Sequence, residues 1–155
     1  MMEKRYPGVD RLLPHGPPMR LVDAIVEEIP DGIVCRTHIG DDFVFLKGNE
    51  VDVAICIELV AQAVACYAGL RDHAEGNLPK PGLLVGCRTA TFIAPFLKRG
   101  DDLRITAKSQ WVREPVASFT GEVTRDGELV ASVELSVVIA SAEQQKTALE
   151  GNRRG

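Results

Sequence analysis

Very little in this 155-residue chain points to a metal, a disulfide framework or a nucleic acid. The four cysteines, Cys35, Cys56, Cys66 and Cys87, are widely separated and form no Cys-x-x-Cys pair, so zinc and dithiol redox chemistry lack their usual spacing. They read as small core residues. The three histidines, His15, His38 and His73, form no His-x-x-His or His-Glu-x-x-His, which leaves a protein-built metal site without support. The net charge is −4, and no Lys/Arg run is interleaved with aromatics, so neither a global nor a local basic surface favours nucleic acid. Glycine-rich phosphate loops are absent as well, and no cofactor is implied. Met1 to Asp10 is charged and has no apolar stretch of the kind a secretory signal needs, so a cytoplasmic protein with reduced thiols is the expectation.

What is present is ordinary globular composition, 45% apolar and 26% charged. A chain of this length buries roughly two-thirds of the surface its unfolded form exposes, enough for one self-sufficient core. No internal repeat or linker divides it. We read residues 1–140 as a single domain, and residues 141–155, polar and without apolar period, as a disordered tail.

Periodicity supplies the elements. Val9 to Leu13 is a short helix candidate stopped by Pro14, and Pro17-Pro18 forces extended backbone into a first strand at about Arg20 to Glu28. Pro30-Asp31-Gly32 signals a turn. Ile33, Cys35, Thr37 and Ile39 then alternate with Val34, Arg36 and His38, the period of a second strand. From Val53 to Leu70 nearly every residue is apolar or small, with Glu58 and Gln62 the interruptions and Asn49 as a candidate cap. An acid near the centre is costly in lipid, so a buried helix, not a membrane span, is the reading. A helix apolar on all sides is expected to be covered on all sides. After a loop at Arg71 to Pro81, strands are expected at Leu83 to Ile93, Leu103 to Trp111, Val116 to Arg125 and Leu129 to Ile139. Asp126-Gly127 is the strongest hairpin signal, making the last three an antiparallel meander.

A six-stranded sheet buries one long helix by curling around it. The expected class is therefore α+β, a hotdog fold with a curled antiparallel six-stranded sheet wrapped around the helix. One sheet leaves part of the helix bare, so a homodimer, or a heterodimer with another hotdog subunit, is expected to complete it.

Three stretches carry a family likeness. Leu12-Leu13-Pro14-His15-Gly16-Pro17-Pro18-Met19-Arg20-Leu21-Val22-Asp23 resembles the Leu-Pro-His-x-x-Pro opening of 3-hydroxyacyl-acyl carrier protein dehydratases. Glu58-Leu59-Val60-Ala61-Gln62 is similar to their Glu-x-x-Ala-Gln helix, whose Glu is an active-site acid, and Leu84 to Phe92 resembles their Gly-x-x-x-x-x-Phe strand beside the acyl channel. The resemblance spans about residues 12–140. It departs at the family's Gly-His-Phe-Pro loop, where this chain has Phe43-Val44-Phe45 and no catalytic His, and at the helix start, where Val53-Ala54 replaces Pro-Gly. The likeness is nearest to the divergent dehydratase-like branch associated with aryl-polyene synthesis, in which such a chain acts beside a second dehydratase subunit.

Dehydrating a 3-hydroxyacyl thioester needs a base for the proton beside the carbonyl, an acid for the leaving hydroxyl and donors for the enolate oxygen. Glu58, among apolar neighbours, is a candidate for proton transfer because desolvation disfavours its charged form. Gln62, one turn on, either orients Glu58 or holds substrate; the alternative is that the two only satisfy each other or a backbone group. His15 suits a general base, or it locks the motif's turn. Arg88 could pair with Glu58 or with a phosphopantetheine phosphate, or face solvent. The resemblance places Gly86 at the acyl channel. Asp23 is expected to tie the motif's turn, and His38 and His73 to lie on the surface.

Three functions stay open on sequence: a dehydratase, an accessory non-catalytic acyl-binding subunit of a dehydratase heterodimer, and an acyl thioesterase. The substrate expected in each is an acyl thioester on acyl carrier protein or coenzyme A.

Overall fold

The computed structural model describes residues 5–76 and 82–139. A 3-10 turn, Val9–Arg11, leads to β1 (Ala24–Ile29), β2 (Gly32–His38), β3 (Glu50–Asp52), the helix α1 (Ile55–Ala74), β4 (Gly82–Phe92), β5 (Phe96–Lys98), β6 (Asp102–Arg113), β7 (Val116–Arg125) and β8 (Glu128–Ile139). Six strands form one antiparallel sheet in the order β1-β2-β6-β7-β8-β4, and β3 pairs with β5 in a separate ribbon. This is the expected α+β hotdog arrangement, with α1 against the sheet.

Local chemistry accounts for the register. Asp126 and Gly127 both take positive φ (53° and 79°) between the paired Arg125 and Glu128, the mirror-image turn that matches strand twist. Asp31 (φ 56°) supplies the one positive φ of the turn between Ile29 and Gly32, after Pro30 whose ring fixes a negative φ. Inward-facing Ile33, Cys35 and Thr37 of β2, Leu103, Ile105 and Ala107 of β6, and Phe119 and Val123 of β7 are buried. Against them α1 presents Cys56, Leu59, Val60, Ala63, Val64 and Cys66, all buried. Helix and sheet approach so closely that a Cβ at Gly121 would lie 2.2 Å from Val60 Cγ1, so only glycine fits there.

Several boundaries differ from the sequence reading. The segment at Arg20 to Asp23 is not strand: Leu21 and Val22 donate their backbone N–H groups to the side chain of Gln62, which takes them out of any ladder, and β1 begins at Ala24. The cap of α1 is Ala54, not Asn49. Asn49 lies before β3 and its carbonyl accepts from the Arg99 N–H, while Asp52 Oδ1 accepts from the Ala54 N–H at the helix start. The helix runs past Leu70 to Ala74. The β3–β5 ribbon, three residues a side, is too short to show a period. Nor is α1 covered on every side: Ile57, Glu58, Ala61, Ala65 and Ala68, spaced three and four apart, form a half-buried stripe in this single chain. The expected tail at 141–155 lies outside the described residues.

Two buried thiols respond to this packing. Burial pushes Cys56 up to about 12, and a hydrogen bond to Cys66, together with burial, holds Cys35 far above the usual thiol range. An unfolded thiol ionises at about 8.5, so the stabilisation from keeping Cys56 neutral is complete below that pH and is lost as pH rises towards the folded value.

Gly121→Ala is expected to lower the unfolding free energy by about 1–3 kcal/mol through overpacking, and Val60→Ala in that background to recover part of the loss, as read by urea unfolding of the four members of the cycle. The stability advantage of wild type over Cys56→Ala is expected to shrink by about 1–2 kcal/mol between about pH 8 and about pH 10. A constant difference between the two unfolding curves across that range would contradict a neutral buried Cys56.

Candidate active site

The motif at Leu12 to Asp23 packs along α1, with the Leu12 backbone close against Gly69, and is fastened to the helix by one amide. Gln62 is wholly buried. Its Oε1 accepts from the N–H groups of Leu21 (2.8 Å) and Val22 (3.2 Å), and its Nε2 donates to the carbonyl of Met19 (2.8 Å) and to Glu58 Oε1 (3.0 Å). Two donors and two acceptor positions are all occupied. Of the roles open to Gln62 on sequence, the geometry fits orienting Glu58 and also the mutual satisfaction of the two side chains, and in this state no hydrogen-bonding capacity is left for a substrate.

Thr37, equally buried, closes the other side. Its hydroxyl donates to the Leu21 carbonyl at 3.1 Å, so Leu21 is held by α1 through its N–H and by β2 through its C=O. Asp23 ties the same segment to β2: its N–H donates to the Arg36 carbonyl, and its Oδ2 accepts from the His38 N–H at 2.7 Å. Thr37 was not singled out in the sequence. Its signal is a hydroxyl on the inward phase of an otherwise apolar strand, where a polar group needs a partner.

This fastening sets His15 beside Glu58, with Nε2 at 3.8 Å from Oε1. That separation is an ion-pair distance, longer than a direct hydrogen bond. Among the described residues, Gln62 and His15 are the partners of the Glu58 carboxylate. His15 Nδ1 is buried without a hydrogen-bond partner. Both side chains are about one-third exposed, 36% and 35%, so the desolvation expected of Glu58 is only partial in a single chain.

Glu58 also borders a cleft of about 550 Å³ walled by Phe45, Val51, Ile55, Ile57 and Phe96. The walls come from the loop between β2 and β3, from the ribbon and from the first turn of α1. Phe45, which stands in the stretch replacing the family's histidine, is 40% exposed and lines this cleft, while Phe43 packs on the core.

Gly86 and Arg88 are not part of this constellation within one chain. They occupy exposed positions of β4, an edge strand hydrogen-bonded only to β8, and a Cβ at Gly86 would meet nothing within 4 Å. His38 pairs on the surface with Asp102 at 2.7 Å. Among the described residues there is no group of three His, Cys, Asp or Glu able to hold a metal, and no helix is long and apolar enough to cross a membrane.

Comparison with known proteins finds similar dehydratases. A 3-hydroxyacyl-[acyl-carrier-protein] dehydratase FabZ of Bordetella pertussis is 29% identical over 154 residues, covering 92% of this chain and 100% of the relative. The FabZ of Anaeromyxobacter sp. (strain K) is 30% identical over 143 residues, 88% of this chain and 91% of its own. Among solved structures, the dehydratase heterocomplex ApeI:P from Xenorhabdus doucetiae superposes with a TM-score of 0.85 at 24% identity, covering 94% of this chain and 99% of that one. The family model described as ApeP-like, ApeP dehydratase, matches residues 7–149, and the chain belongs to that family.

Proposed function

We propose that the chain dehydrates 3-hydroxyacyl thioesters carried on acyl carrier protein to trans-2-enoyl thioesters, working beside a second hotdog subunit in the cytoplasm. The observation that carries this reading is the Glu58 carboxylate, fixed by Gln62, facing His15 at 3.8 Å on the border of an apolar cleft. A carboxyl and an imidazole sharing one proton supply both halves of the reaction. His15 Nε2 takes the proton from C2, the C2–C3 double bond forms as the C3–O bond breaks, and the proton shared by the pair goes from Glu58 to the departing hydroxyl, which leaves as water. One proton remains on the pair, now on His15, and its return to Glu58 resets the site.

The assembly part of the proposal rests on the bare surfaces. The half-buried stripe of α1 and the free edge of β4 are what a second hotdog subunit would cover, and Gly86 and Arg88 would reach substrate only across such an interface. A second reading has one observation in its favour: Phe43-Val44-Phe45 stands where the family carries its histidine, which fits an accessory acyl-binding subunit whose partner performs the chemistry.

Glu58→Gln is expected to reduce turnover of a 3-hydroxyacyl carrier protein by about 10²-fold or more with an unchanged unfolding midpoint, followed by mass spectrometry as loss of one water from the acyl chain. His15→Asn is expected to do the same. Both variants are assayed alone and mixed with a catalytic hotdog dehydratase. Full turnover by either variant in the mixture, when wild type is inactive alone, would select the accessory reading.

A further inference from the structure

Resting on the acyl-handling reading of the cleft, we infer that Arg99 is a positioning residue that holds the cleft's Phe45 wall in place. The loop from Gly40 to Asn49 joins β2 to β3, contains no regular element beyond the Lys47–Glu50 bridge, and carries Phe45 at its middle. Its two ends converge on one arginine. Arg99 Nη1 lies 3.3 Å from Asp41 Oδ1 at the start of the loop, Nη2 donates to the Gly48 carbonyl at 3.2 Å at its end, and the Arg99 N–H donates to the Asn49 carbonyl at 2.9 Å. Gly48 takes a left-handed φ of 63°, the bend that turns this carbonyl-bearing end of the loop.

The guanidinium fork is what lets one side chain hold both ends, since its nitrogens point in fixed, different directions. Arg99 directly follows β5, whose Phe96 lines the same cleft as Phe45. The arginine thus couples the two strips of chain that carry the aromatic walls. The neighbouring backbone bonds, Ile39 N–H to the Asp101 carbonyl and Gly100 N–H to the Ile39 carbonyl, fix where the loop departs. Within it the N–H groups of Phe43, Leu46 and Lys47 donate to the carbonyls of Gly40, Phe43 and Glu50, and Phe43 and Leu46 pack on the core, while the arginine side chain ties the two ends together around the exposed Phe45. Arg99 borders neither Glu58 nor the cleft, so its action on an acyl chain passes through Phe45. The ion pair to Asp41 is exposed and weak taken alone. The fork acts by joining the two ends of a loop whose remaining bonds are short-range turns and which lacks regular structure across Phe45.

The test compares Arg99→Ala, Arg99→Lys and Asp41→Asn with wild type by amide hydrogen exchange and by affinity for decanoyl-pantetheine, a saturated thioester that cannot be dehydrated. Exchange in residues 40–49 is expected to rise about fivefold or more in Arg99→Ala, with β6, β7 and β8 unchanged. Affinity is expected to fall by about threefold or more, and Arg99→Lys and Asp41→Asn, each of which keeps one tether, to be intermediate. Unchanged loop exchange in Arg99→Ala overturns the clamp. Raised exchange with unchanged affinity overturns its role in shaping the cleft. Neither readout depends on turnover, so an inactive wild type would count against the dehydratase reading alone.

Discussion

A single buried amide organises this molecule. Gln62 sits in the middle of an apolar helix, wholly removed from water, where an unpartnered polar group costs about 1–3 kcal/mol for each bond left unmade. Its four partners therefore settle a great deal of structure at once. Two N–H groups and one carbonyl of the Met19 to Val22 segment must lie against α1, the segment cannot be strand, and the remaining amide proton falls on Glu58. The Leu-Pro-His motif is thus the other half of the helix motif, and His15 comes to Glu58 because the chain that follows it is fastened one turn further along the helix.

The single chain also leaves apolar surface uncovered. A stripe of α1 stays half-exposed, β4 offers its outer edge, and aromatic side chains at Phe45, Phe92 and Phe96 face outward. The catalytic candidate Glu58 lies on that same stripe, so the proposed assembly and the proposed chemistry would share one surface. A partner that buried the stripe would also exclude water from the Glu58–His15 pair, strengthening the interaction between them.

Much of the architecture was legible because it rests on period and turn chemistry. Asp126-Gly127 gave the β7–β8 hairpin, alternation gave β2, and the unbroken apolar run gave α1. What escaped was decided by side chains acting on distant backbone. Nothing local to Arg20 to Asp23 says that its N–H groups go to residue 62, and nothing local to Asn49 says that it will pair with Arg99 while the helix cap falls at Ala54. The pairing of Glu58 with Gln62 was readable from helical spacing alone, whereas the contact to His15 depends on a tertiary crossing. Gly86 and Arg88 were read as strand residues able to meet substrate, and one chain places them on an exposed edge away from Glu58, where the sequence alone does not say what lies across it.

The most direct test of the central claim is the stability and turnover of Gln62→Met, which keeps the volume and removes every hydrogen bond. The account predicts a loss of at least about 3 kcal/mol in unfolding free energy from the stranded backbone groups, together with a fall in carrier-bound 3-hydroxyacyl turnover under conditions where the variant remains folded. A Gln62→Met protein as stable and as active as wild type would contradict it.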